Sequence, residues 1–186
     1  VPALQRVQEL SLAKQRSQVH VMLGFPGLRV DDPDAPALHV LTQVLSGQGG
    51  RLFLELRDRQ SLAYQVQASS LEGLDPGMFM VYIASALEKE QQARDGVRGE
   101  LVKLLEGGVS EEELVRARSY LVGSHSVSMQ RFGTQASLLS LDELYGLGAT
   151  HHLRYGERID KVTRDDVMRV ARRIIDLERA VYAVVR

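Results

Sequence analysis

The chain has 186 residues, 44% hydrophobic and 25% charged, which is ordinary for a folded globular protein and enough for one good-sized domain. Its 23 basic and 24 acidic side chains leave a net charge of -1, so charge makes no case for nucleic acid or an acidic membrane surface as a partner. The absence of cysteine excludes disulfides, thiolate nucleophiles and cysteine-built zinc sites.

Leu4–Leu12 is mixed in pattern and reads as an edge strand. Gln18–Phe25 alternates, with Val19, Val21 and Leu23 on one side and His20 and Met22 on the other, until Pro26-Gly27 ends it. Asp31, Asp32 and Asp34 with Pro33 mark a turn and a helix start. Ala37–Leu45 follows as a helix with Leu38, Leu41, Val44 and Leu45 on one face. Gly47, Gly49 and Gly50 break it. Leu52–Asp58 is a second short helix, and Leu62–Ser70 returns to period two, with Tyr64, Val66 and Ala68 opposed to Ala63, Gln65 and Gln67. A turn around Gly73 and Asp75-Pro76-Gly77 leads to Met78–Ser85, apolar on both faces as expected of a covered strand. These two strands form a hairpin.

Helices dominate the second half. Lys89–Glu106 carries an apolar stripe and closes at Gly107-Gly108. Ser110 with Glu113 is a capping box opening a helix that runs to about Met129, and Ser137–Tyr145 is another. Thr163-Arg164-Asp165-Asp166 caps a helix with Val167, Val170, Ala171 and Ile174 inward, and Ala180–Val185 is a terminal strand. The order fits an α+β fold: one domain over residues 1–186, with a mostly antiparallel sheet and helices packed on one face. No apolar run approaches the ~20 residues of a membrane helix. Val1–Lys14 lacks the apolar core of a signal peptide. The missing initiator Met fits a piece of a longer protein, with any leader upstream. A soluble protein of the bacterial cytoplasm or periplasm is expected, with the compartment itself open.

The search for chemistry is mostly negative. None of His20, His39, His125, His151 and His152 lies in H-E-x-x-H or H-x-x-E-H, the helical spacings that converge two imidazoles and a carboxylate on one ion. His151-His152 reads as a solvated loop pair. Gly123-Ser124-His125-Ser126 sits inside a helical run, where sequence neighbours do not face each other. Gly47-Gln48-Gly49-Gly50 lacks the Lys-Ser/Thr of a phosphate loop and follows a helix, so it reads as a helix stop. There remain Arg57 and Tyr64, seven residues apart, which a turn can bring to one edge of the sheet. Spacing alone favours a surface arginine and a core tyrosine.

The segment Gly49-Gly50-Arg51-Leu52-Phe53-Leu54-Glu55-Leu56-Arg57-Asp58, followed by Ser61-Leu62-Ala63-Tyr64-Gln65-Val66, resembles the second half-domain of the pitrilysin/insulinase family of zinc metallopeptidases. The strand Gln18–Gly27, the run Gly107–Leu114 with Ala117-Arg118, and Val162–Val167 resemble further family motifs in the same order. The resemblance spans about Val7 to Val185. It implies a processing-peptidase-like half-domain that binds no metal. Zinc and its H-x-x-E-H ligands would then belong to a homologous partner half, on the same chain or another. It further implies that Arg57 and Tyr64 are the family's arginine–tyrosine pair, holding a peptide substrate and the oxyanion of its hydrolysis. This chain alone is expected to be inactive, binding neither nucleic acid nor membrane. A free sheet edge offers a place for substrate as an added strand. A non-catalytic structural or interaction module on the same fold is the alternative, and a hydrolase built on Ser124 and His125 is a third reading.

Overall fold

A computed structural model describes residues 4–15 and 17–186. Positions 1–3 of the stretch Val1–Lys14 lie outside the described residues. Five strands form one sheet: β1 (Gln8–Leu12), β2 (Gln18–Pro26), β3 (Gln65–Leu71), β4 (Met78–Ala86) and β5 (Val181–Val185). Their spatial order is β1-β5-β2-β4-β3. β1 and β5 run parallel, and every other pairing is antiparallel. The terminal strand thus inserts between β1 and β2, leaving β1 and β3 as the edges.

The helices are α1 (Ala35–Leu45), α2 (Glu90–Gly107), α3 (Glu111–Ser128), α4 (Phe132–Leu144), α5 (Tyr155–Asp160) and α6 (Arg164–Ile174). α1 packs on β3 and α2 on β4, while α6 and α3 pack against α1. The period-two residues Val19, Val21, Leu23 and Phe25 of β2 and Phe79, Val81 and Ile83 of β4 meet Leu38, Leu41 and Leu45 of α1 and Leu101 and Leu104 of α2 in one core. Apolar burial at about 25 cal/mol per Å² is the main force holding these layers together. Local chemistry fixes where α3 and α6 begin. Ser110 accepts from the Glu113 backbone N–H while Glu113 accepts from Ser110 N–H, and Thr163 and Asp166 repeat the arrangement. Each cap contributes about 1 kcal/mol.

Several expectations change in detail. β4 is covered on one face only. Phe79, Val81 and Ile83 point into the core, but Met78 is exposed and Met80 and Tyr82 are half-buried on the other face. A strand of Met, Val, Tyr and Ile shows no alternation in hydrophobicity, so its own pattern does not tell which face the helices cover. On the open face the Tyr82 hydroxyl and His20 Nδ1 share a hydrogen bond of 2.7 Å. α4 starts five residues earlier than Ser137, at Phe132, with Asp142 its buried residue. The His151-His152 pair is not a solvated loop. It forms a 3-10 turn, and His152 is 5% exposed because its ring N–H and backbone N–H both donate to the Asp142 carboxylate, at 2.7 and 2.8 Å.

Candidate functional site

The segment carrying Arg57 and Tyr64 joins α1 to the edge strand β3. α1 ends at Ser46, and the chain reverses so tightly that a Cβ on Gly50 would lie 2.1 Å from the Ser46 carbonyl oxygen. Only glycine fits there. Residues Phe53–Arg59 then form a π-helical turn rather than the ordinary helix the spacing suggests. The wider ring is visible in the bond from Gln60 N–H to the Glu55 carbonyl, 3.1 Å. Leu52 and Leu56 are fully buried beneath it. α2 approaches so closely that a Cβ on Gly96 would come within 2.7 Å of a Leu56 methyl. The turn exits through Ser61 at φ 51, left-handed backbone that a non-glycine residue seldom adopts. Lys89 Nζ donates to the Ser61 carbonyl at 3.1 Å and helps hold the exit. π-turns and such backbone strain cluster at functional sites.

An ion pair ties the other end of the segment to the helical layer. Arg51 Nε and Nη2 donate to both Glu113 carboxylate oxygens, at 2.5 and 2.7 Å, and Nη2 also donates to the Gly108 carbonyl at 2.6 Å. Burial pushes the Glu113 carboxyl up, but hydrogen bonds from Arg51 and the Ser110 backbone outweigh it and hold the group below the usual carboxylate range. The carboxylate that caps α3 therefore also anchors the π-turn.

Arg57 and Tyr64 are both exposed, Arg57 on the π-turn and Tyr64 just ahead of β3. The Arg57 guanidinium lies over the Phe53 ring, 5.0 Å from its centroid. Among the described residues no carboxylate pairs with Arg57. The neighbouring Glu55 is taken by Gln60 at 2.7 Å and Arg59 at 3.0 Å, contacts that keep its carboxyl below its ordinary value. Tyr64 shares its phase with the buried Val66 and Ala68, so alternation assigns it to the core. Instead it is 58% exposed. It sits one residue before β3 begins, bonded to β4 through its backbone N–H and the Ala84 carbonyl at 2.8 Å. The core-tyrosine reading therefore fails for Tyr64. Among the described residues no hydrogen bond or ring contact joins the two side chains. The site offers a fixed cation and a free hydroxyl. Alone it holds neither a base nor a nucleophile aimed at a common point.

β3 is an edge strand, but its edge is not open throughout. Ser46 Oγ accepts from Ala68 N–H at 2.5 Å and donates to the Ala68 carbonyl at 2.7 Å. An added strand therefore cannot pair at Ala68 itself.

The donor set does not fit a zinc ion. Among the described residues no three His, Asp or Glu side chains are placed to hold a metal. His152 and Asp142 satisfy each other, and the His151 ring accepts a hydrogen bond from Arg158. No helix of the described residues is long and apolar enough to cross a membrane. Sequence reasoning missed one feature: four of the five histidines, His39, His125, His151 and His152, line a single cavity. They come from three separate segments, and no spacing rule signals that.

Comparison with known proteins gives consistent results. The family model described as the peptidase M16 inactive domain matches residues 4–121. An uncharacterized zinc protease of Streptomyces coelicolor is 32% identical over 165 residues, covering 88% of this chain and 36% of its own length. An uncharacterized zinc protease of Bacillus subtilis is 30% identical over 138 residues, covering 74% of this chain and 34% of its own. The chain thus spans about a third of the length of these relatives. The crystal structure of a peptidase M16 inactive domain from Pseudomonas fluorescens has the same fold, with a TM-score of 0.90 at 23% identity, covering 99% of this chain and 44% of that one.

Proposed function

The chain belongs to the peptidase M16 inactive-domain family, and on that premise we propose that it is the substrate-gripping half of a zinc peptidase. Residues 1–186 act as the second half-domain, and a homologous half supplies zinc and the general base. The relatives named zinc proteases are long enough to hold both. The observation that carries the proposal is the exposure of Tyr64 where alternation demands burial, together with an exposed Arg57 that pairs with no carboxylate among the described residues.

In this reading an extended peptide adds to the free edge of β3 on the Tyr64 side of Ala68, so backbone hydrogen bonds align it. Attack on the scissile carbonyl builds negative charge on its oxygen. The Tyr64 hydroxyl donates to that oxygen, and the Arg57 guanidinium holds the peptide backbone beside it. A preorganised donor of this kind contributes about 2.7–4 kcal/mol to the transition state, roughly 10²–10³ in rate. Phe53 holds Arg57 by its ring face, fixing the cation without neutralising it.

The contact with Phe53 also suits the alternative, a non-catalytic module in which Arg57 merely packs. Tyr64→Phe and Arg57→Ala in the complete two-half protein separate the two. The proposed role requires lower kcat with zinc content unchanged, and the packing role predicts unchanged turnover.

A further inference from the structure

The cavity holding the four histidines encloses about 440 Å³, within the ~300–1,000 Å³ that suits a small organic ligand. It lies between the start of α1, the β3–β4 turn and the α4–α5 region. Glu72, on its wall, is separated from Tyr64 by the length of β3, roughly 25 Å at ~3.3 Å per residue. The cavity is therefore separate from the Arg57–Tyr64 edge and independent of the reading given to it.

Its charges are unevenly matched. Asp31 pairs with Arg29, Asp32 with Arg173, and Asp142 is satisfied by His152. Among the described residues Glu72 faces only His39, at longer range, and no carboxylate pairs with Arg158. His39 Nε2 stands 3.5 Å from Glu72 Oε1, close enough to attract but long for a hydrogen bond, and Glu72 Oε1 and His39 Nδ1 are buried without hydrogen-bond partners. Arg158 donates to the His151 ring and, at 3.2 Å, to the His151 carbonyl, leaving its Nε buried and unpartnered.

His151 and His125 disfavour a positive charge: burial first and then the Arg158 charge lower the pKa of His151, and burial lowers that of His125. Burial pushes Glu72 up, but His39 and then Ser70 outweigh it and hold the carboxyl below its ordinary value, so it is ionised near neutral pH. The wall between the charges is aromatic, with the Tyr155 ring centroid 5.7 Å from His39 and 4.7 Å from His125. The remainder is largely apolar, including Val30, Pro36, Leu138 and Leu147.

We propose that this cavity binds a small apolar zwitterion, a free α-amino acid or dipeptide. Glu72 and the His39–Tyr155 wall would receive the ammonium, and Arg158 the carboxylate. Isothermal titration of the purified chain with L-leucine and L-leucyl-L-leucine tests it, with the N-acetylated and C-amidated dipeptides as probes. The expected result is one saturable site for at least one of the two free ligands, with affinity falling at least ~10-fold when either terminus is capped, the loss expected for a removed charge-assisted hydrogen bond. Glu72→Gln should abolish the penalty of N-acetylation, and Arg158→Gln that of amidation, with melting curves confirming that each variant folds. Should a variant fail to fold, the capped series on the unaltered chain decides. No saturable heat up to ~10 mM, well above the ~1 mM of a weak ligand, overturns the proposal, as does binding indifferent to both caps.

Discussion

Replacing Arg51 with methionine, or Glu113 with glutamine, should loosen the candidate site from a distance. The two side chains are 19% and 14% exposed and share a bidentate contact, with the Gly108 carbonyl as a third acceptor. Breaking a buried ion pair from one side costs ~3–5 kcal/mol, and partial solvent access here lowers the figure to about 2–3 kcal/mol. Glu113→Gln retains an acceptor for Ser110 N–H and should cost less than Arg51→Met, which also strands the Gly108 carbonyl. For a chain of this size each kcal/mol moves Tm by ~2–4 °C, so a fall of about 4–12 °C is expected. Urea unfolding should show a lower midpoint with an unchanged slope. The double variant should cost clearly less than the sum of the singles, because both remove one interaction. Amide exchange at Leu54–Arg57 should quicken in parallel, since the pair anchors the π-turn. Single variants within about 0.5 kcal/mol of the parent, or strict additivity, would refute the reasoning.

Gly96→Val should push on Leu56, whose methyl already stands 2.7 Å from the added Cβ position, and destabilise by ~1–3 kcal/mol through overpacking. Thermal melting checks it, and no loss would mean that the π-turn is free to shift. Acid unfolding should carry a contribution from Asp166, whose carboxyl is lowered to about 2 by hydrogen bonds from the Thr163 hydroxyl and backbone and from Arg169. A depressed carboxyl stabilises the fold above its unfolded value of 3.8, and that stability is lost as pH falls through about 2. Asp166→Asn should therefore flatten the stability profile between those values, and an unchanged profile would count against the capping role.

Much of the fold was legible because its signals are local. Val19, Val21 and Leu23 alternate cleanly in β2, and Ser110 with Glu113 and Thr163 with Asp166 spell out two helix starts. The π-turn was not legible. Leu52 and Leu56 fit an ordinary helix equally well, and the close approach of α2 at Gly96 is a contact distant in sequence. Alternation also misplaced Tyr64, because phase says which way a side chain points and not where the covering helices end. Family resemblance alone points to Arg57 and Tyr64 as candidates, and the exposure of Tyr64 is visible only in the structure. The histidine cavity depends on contacts between α1, α3 and the 3-10 turn, far apart in sequence, and is invisible without them.

The central claim is that Tyr64 and Arg57 face a peptide at the β3 edge. It is tested most directly by kcat of Tyr64→Phe in the complete two-half protein at saturating peptide, with zinc and Tm measured on the same samples. The hydroxyl is exposed and bonded to nothing among the described residues, so its removal should leave Tm unchanged. The account expects kcat to fall roughly 10²–10³-fold with zinc retained. Full turnover in Tyr64→Phe would contradict it.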